Sequence, residues 1–215
     1  MMEKETNLMT EGVIWKQLLL FSIPLLVGNL FQQLYNTVDS IIVGNYVGSQ
    51  ALAAVGASTP IINLLVGFFM GIATGAGIII SQFYGAKDEK RLRESVHTAL
   101  ALSILAGIFL TVVGMMFSPW ILRIMGTPDE VLQDSVLYLR LYFVGSLFLL
   151  VYNMGAGILR AVGDSRRPLY YLCISSVINI VLDLLFVVGF KMGVAGVALA
   201  CLLYTSSALK LTSFQ

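Results

Sequence analysis

Residues 17–43 read QLLLFSIPLLVGNLFQQLYNTVDSIIV, an apolar run that carries a carboxylate, Asp39, close to its end. A helix needs about 20 mostly apolar residues to cross roughly 30 Å of hydrocarbon, so this run is long enough to span a bilayer. Gln32, Asn36 and Asp39 recur at a helical spacing and therefore share one face of the helix, with Tyr35 beside them. Because an acid inside such a helix is costly, its presence predicts a function.

The composition of the whole chain places it in a membrane. The sequence has 215 residues, of which 58% are hydrophobic and 12% are charged, whereas soluble domains have about 25% charged residues. The mean hydropathy is +0.88. The net charge of +1 gives no indication of a nucleic-acid partner, and the lipid bilayer is the expected surrounding. Cys173 and Cys201 lie in apolar runs, so neither a disulfide framework nor a metal set is expected.

Four further apolar runs follow, over residues 52–82, 95–117, 136–159 and 168–190, and a sixth begins near Gly193. The pattern predicts an all-α fold, a polytopic transmembrane bundle of about six helices. Polar or Gly- and Pro-rich segments predict loops over residues 45–50, 85–93, 118–134, 163–168 and 191–192. We interpret residues 1–16 as a cytoplasmic N-terminal segment, residues 17–203 as the transmembrane unit, whose first run is a retained span, and residues 204–215 as a truncated or non-native tail.

The basic residues predict the orientation, because Lys and Arg near the ends of spans are retained in the cytoplasm. One side of the predicted bundle holds nine of them: Lys4, Lys16, Lys87, Lys90, Arg91, Arg93, Arg160, Arg166 and Arg167. The other side holds three, Arg123, Arg140 and Lys191, when Lys210 in the tail is left out. The distribution predicts a cytoplasmic N-terminus and, for a bacterial protein, insertion in the inner membrane.

A second acid lies in the fifth run. Ser176, Asn179 and Asp183 form one polar stripe, and a rise of 1.5 Å per residue places Asp183 roughly 22 Å into its span. Asp39 also falls in the outer half of the bilayer, so the two acids can share one cavity and bind a proton or a sodium ion. Two simpler interpretations stay open: Asp39 lies hydrated at the outer interface, and Asn179 is only a structural partner of Asp183.

Proline and glycine in the first two runs suggest mobility and packing. Pro24 removes a backbone hydrogen bond inside the first helix, which predicts a bend or hinge on the helix that carries Asp39. Gly67, Gly71 and Gly75 repeat every four residues in the second helix. This small-xxx-small pattern predicts close packing against another helix.

Five sequence features together resemble the N-terminal half of a multidrug and toxic compound extrusion (MATE) transporter. They are Pro24, LYNTVD at residues 34–39, GSQALAAVG at residues 48–56, LRAVGD at residues 159–164 and NIVLD at residues 179–183. The likeness covers about residues 12–200. It implies a cation-coupled efflux pump with two six-helix lobes and a substrate cavity between them.

The resemblance also implies roles for individual residues. Asp39, Asn179 and Asp183 match the family's polar network in the N-terminal lobe, which would couple a proton or Na⁺ and require no other cofactor. Pro24 matches the position where the first helix bends. Gln32, Tyr35 and Asn153 match positions that line the family's substrate cavity, and Asn36 and Ser176, which lie on the polar stripes of the two acids, are predicted to line it as well.

Two departures from the family pattern stand out. The family has about twelve helices, so a chain of 215 residues needs either the missing C-terminal lobe or a second copy as its partner. In addition, GVALAC at residues 196–201 places Cys201 where the family often has a hydroxyl in its ion site.

We therefore predict a non-enzymatic antiporter lobe that exports small organic cations. One alternative within transport is a lipid-linked sugar flippase, which normally carries several cavity arginines. An alternative of a different class is a non-transporting or half-size membrane protein. An intramembrane aspartyl protease also uses two carboxylates. Its Tyr and Gly-x-Gly signatures are missing, because Val38 precedes Asp39 and Leu182 precedes Asp183.

Overall fold

The computed structural model describes residues 13–200 and Leu203. Five long helices follow one another: α1 (Ile14–Ile42), α2 (Ser49–Gly85), α3 (Glu89–Ile124), α4 (Asp129–Ala161) and α5 (Arg166–Asp183). π-helical segments extend α1 over Val43–Val47 and α5 over Leu184–Gly189. Residues 194–200 begin a sixth helix, and no strand occurs in the described part of the chain. The five long helices can each cross a membrane, so the predicted all-α membrane bundle is confirmed.

Some of the sequence predictions concern residues outside the described part. They are most of the N-terminal segment 1–16, the position of Cys201 and the tail 204–215. The proposed role of Cys201 and the boundaries of these two segments stay predictions.

The loops between the helices are shorter than predicted. The segments predicted as loops over residues 45–50, 85–93 and 118–134 are largely helical, and α4 begins at Asp129 instead of near residue 136. The polar residues there cap and extend helices. The Asp88 carboxylate accepts a hydrogen bond from the Arg91 N–H at the start of α3, and acidic residues in the first turn of α4 favour its N-terminus electrostatically. Charged turns therefore carry the helices beyond their apolar runs.

The end of α3 shows how a helix continues past a proline. Pro119 has no N–H, so the carbonyl group of Met115, four residues earlier, loses its helical partner. The Arg140 Nε of α4 donates a hydrogen bond to this carbonyl oxygen over 3.2 Å. Arg140, counted in the sequence only as an outer-side cation, therefore stabilises the last turns of α3.

This contact predicts coupling between Arg140 and Pro119. Arg140→Met should lower the free energy of unfolding by about 1 kcal/mol, as measured for the purified chain in detergent. In a Pro119→Ala background the loss should fall toward zero, because the Ala N–H takes the Met115 carbonyl. The control is Arg123→Met, which removes a cation from the last turn of α3. It should change the free energy of unfolding by the same amount in both backgrounds. An Arg140→Met effect of the same size in both backgrounds would contradict the account.

Helix α4 is the centre of the bundle. It contributes more buried residues than any other helix and packs against α2, α3 and α5, while α1 packs mainly on α5. Glycines bring α3 close to α4: a Cβ at Gly107 would lie 2.8 Å from the Cα of Leu147, and one at Gly114 would overlap the Phe143 ring. The α3–α4 contact therefore depends on the absence of side chains at these two positions.

The predicted close packing of the α2 glycines is not found among the described helices. A Cβ added at Gly67, Gly71 or Gly75 would meet no atom within 4 Å. These glycines face away from α3 and α4, so a helix that packs on them must come from outside the described part of this chain.

Candidate functional site

The site is built where α1 and α5 come side by side. Asp39 lies one turn before the end of α1, and Asp183 is the last residue of α5. The two helices pack against each other, and the carboxyl groups of Asp39 and Asp183 are close enough to interact directly. The two acids that the sequence analysis singled out therefore lie at the same contact between α1 and α5, and their predicted shared ion cavity stays a prediction.

The carboxyl groups are poorly satisfied by the surrounding protein. Asp183 is 1% exposed, whereas Asp39 is partly accessible. The Oδ1 atom of Asp39 and both carboxyl oxygens of Asp183 are buried and accept no hydrogen bond from any described residue. Buried polar groups normally have partners, so these oxygens are free to bind a proton or a cation.

The α5 side of the site contains one residue that the sequence analysis missed. Ser175 is fully buried, and its Oγ has no hydrogen-bond partner in the described part of the chain. It precedes Asn179 and Asp183 at intervals of four residues, so all three lie on one buried face of α5. That spacing was readable in the sequence. The predicted Ser176 is also buried, but its hydroxyl donates to the Leu172 carbonyl oxygen of its own helix over 2.7 Å.

An apolar cluster closes one end of the site. It is formed at the π-helical segments that follow the two acids, which contact each other, and at the start of the sixth helix. Its buried members include Val43, Val187, Val194 and Val197. Because π-helical segments are rare and frequent at functional sites, two of them directly after the two acids mark this end of the bundle as specialised.

The predicted cavity residues on α1 are only partly enclosed. Gln32 and Asn36 are exposed and Tyr35 is half-buried. They continue the Asp39 face along α1, but the described residues of this chain do not cover them. A closed substrate cavity at these positions requires a second wall.

Asn153 and Pro24 are not part of the contact between the two acids: Asn153 lies in α4, and Pro24 lies about four turns before Asp39 in α1. Asn153 is half-buried in α4 beside Met154, which belongs to the core cluster between α2, α3 and α4. No described hydrogen bond joins Asn153 to either acid. Helix α1 continues through Pro24, which is half-buried. The roles predicted for both residues stay predictions.

A lobe of membrane-spanning helices that carries two adjacent carboxyl groups and an exposed polar face is typical of a multi-pass membrane transporter. The sequence model of the MatE family matches residues 24–185. The chain therefore belongs to the MATE family, whose named relatives are multidrug resistance and multidrug export proteins.

Two kinds of similarity support this assignment. The chain is 39% identical over 196 residues to the probable multidrug resistance protein YoeA of Bacillus subtilis, covering 89% of this chain and 42% of YoeA. Crystal structures of MATE in the bent and in the straight conformation each superpose with a TM-score of 0.91 at 29% identity, covering 100% of this chain and 47% of theirs. The chain thus spans less than half the length of these relatives, which is consistent with an N-terminal lobe.

Proposed function

We propose that this chain forms the ion-coupling lobe of an exporter that exchanges H⁺ or Na⁺ for small organic cations. The observation that carries the proposal is the pair of adjacent carboxyl groups, of which three of the four oxygens are buried without a protein donor in the described structure. Asp183, with Asn179 one turn before it, provides the enclosed side of the ion site. Asp39 provides the accessible side, which an entering ion reaches first.

The exposed α1 face supports the choice of a cationic substrate. Gln32, Asn36 and Asp39 present amide and carboxyl oxygens on this face, and oxygen acceptors attract organic cations. Binding of the coupling ion at Asp39 and Asp183 would remove this attraction and release the substrate. A single ion can thereby exchange with a single cationic substrate.

The second wall of the cavity is proposed to be a C-terminal lobe or a second copy of this chain. The open glycine face of α2 at Gly67, Gly71 and Gly75 supports a further helix in contact with it, because nothing in the described structure occupies that face. Large apolar side chains on α1, such as Leu26, Leu30 and Leu34, are also exposed. They provide contact area for the same partner or for lipid.

The carboxyl pair predicts the outcome of a transport experiment. In cells that make the full-length protein, Asp183→Asn should reduce ethidium efflux to the background of cells without the transporter, because an amide neither takes up a proton nor neutralises a cation. Asp129→Asn removes an exposed charge at the start of α4 and should leave efflux unchanged. Undiminished, gradient-dependent ethidium efflux by Asp183→Asn would contradict ion coupling through this carboxyl pair. Separate collapse of the proton and sodium gradients identifies the coupling ion.

We propose that α1 bends at Pro24 when the ion binds. The missing N–H at Pro24 leaves the Leu20 carbonyl without its helical donor, which makes this turn the most easily deformed one in α1. Pro24→Ala restores the hydrogen bond and should slow ethidium efflux severalfold at equal protein level. Pro60→Ala, at the proline inside α2, is the matched control and should have little effect. Equal slowing by both variants would refute a specific hinge in α1.

The orientation of the chain has its own test. The excess of basic residues at the loops after α2 and α4 supports a cytoplasmic N-terminus. Cysteines placed singly at Lys87 and at Arg123, in a background without Cys173 and Cys201, should differ in intact bacteria. An impermeant thiol reagent should label the cysteine at position 123 and spare the one at position 87. The opposite labelling pattern would show that the N-terminus lies outside the cytoplasm and would contradict the predicted orientation.

A further inference from the structure

A second concave site lies away from the acid pair. A cavity of about 490 Å³ opens between α1, α2 and α4, and we call it the Arg160 cavity. Phe21 of α1, Ser81 and Tyr84 of α2 and Arg160 of α4 are among the residues that line it. Glycines let α2 and α4 meet at its base, where a Cβ at Gly77 would lie 3.7 Å from the Gly157 carbonyl oxygen.

Arg160 is a half-buried cation that has no carboxylate partner among the described residues. The described residues that line the cavity include no acid. The acid nearest to Arg160 in the sequence, Asp164, is already engaged: it accepts hydrogen bonds from the N–H groups of Arg166 and Arg167 and pairs with the Arg167 Nε at 3.0 Å. A half-buried guanidinium group without an anion is unfavourable. The cavity therefore presents an unmatched positive charge to its contents.

The lining of the cavity is divided between polar and apolar groups. Arg160, Tyr84 and Ser81 supply polar atoms near the ends of α2 and α4, whereas Phe21, Ala73 and Ile78 supply apolar surface. A guanidinium group binds phosphate with two parallel hydrogen bonds, and the Tyr84 hydroxyl can donate another. The cavity thus fits a molecule with a phosphate head and an apolar tail.

The position of the cavity agrees with such a ligand. It lies where α2 and α4 end, and the loop after α2 leads directly into the cluster Lys87, Lys90, Arg91 and Arg93. Basic residues at the ends of spans lie at the level of lipid headgroups and attract anionic lipids. Because the cavity lies at the same end of the helices as this basic cluster, it lies at the depth of the lipid headgroups on that side of the membrane.

We propose that the Arg160 cavity binds the phosphate headgroup of an anionic phospholipid from the leaflet that borders the basic loops. This site is separate from the ion site and adds a lipid dependence to the transporter lobe. The lipid would bridge α1 to α2 and α4 and fill a gap in their packing at this end of the bundle.

Native mass spectrometry of the purified 215-residue chain tests the proposal. After exchange into detergent with equal amounts of phosphatidylglycerol and phosphatidylcholine, the chain should retain phosphatidylglycerol preferentially. Arg160→Gln should reduce this preference about tenfold, as loss of one charge-assisted contact does. Arg93→Gln removes an exposed cation of the nearby cluster and should keep the preference. Equal loss in both variants, or no loss in either, would overturn the site.

A second variant guards against a folding defect in Arg160→Gln. Ser81→Phe keeps Arg160 but fills the cavity, and the Ser81 hydroxyl only donates to the Ile78 carbonyl oxygen of its own helix. It should also lower phosphatidylglycerol retention, while full retention by Ser81→Phe would contradict a ligand in the cavity. Inorganic phosphate is the second probe: binding of phosphate that depends on Arg160, without lipid preference, would overturn the lipid proposal in favour of a free anion.

Discussion

The cost of holding two carboxyl groups together inside a membrane-spanning bundle is the constraint on which this structure depends. Removing a charged group from water costs several kcal/mol even after the protein relaxes, and Asp39 and Asp183 add mutual repulsion to that cost. The protein provides no hydrogen-bond donor to three of their four oxygens in its described part. Acidic groups inside membrane-spanning segments are costly and mark ion or substrate pathways, and for this reason the proposed ion exchange is assigned to this pair.

The remaining helices serve this pair in different ways. Helix α4 packs against α2 and α3, and glycines at positions 107 and 114 allow the close contact between α3 and α4. Helices α1 and α5 carry the acids, and α1 is the less buried of the two, so it has more freedom to move. The apolar cluster after the acids closes one end of the site and directs access toward the exposed face of α1.

The sequence was sufficient to predict what depends on periodicity. The long apolar runs predicted five spans, and the two polar stripes placed Asp39 and Asp183 together, because helical spacing and membrane depth fix both features. The sequence was insufficient where a contact between helices decides the local structure. The segment 118–134 was predicted as a loop, yet α3 continues through Pro119 to Ile124, and the Arg140 guanidinium group donates to the carbonyl that the proline leaves without a partner. The glycine pattern of α2 suggested close packing, whereas the described contacts use Gly107 and Gly114 of α3.

The most direct test of the central claim is whether the side chains at positions 39 and 183 meet. In a background with Cys173 and Cys201 replaced by Ala, Asp39→Cys with Asp183→Cys should be joined by a short bis-methanethiosulfonate crosslinker, which reacts with one thiol at each end, and mass spectrometry of the digest should show the linked peptides. Asp39→Cys with Val181→Cys, at an exposed position of α5, should remain unlinked. Absence of the 39–183 link, or equal linking of both pairs, would contradict a shared carboxyl site.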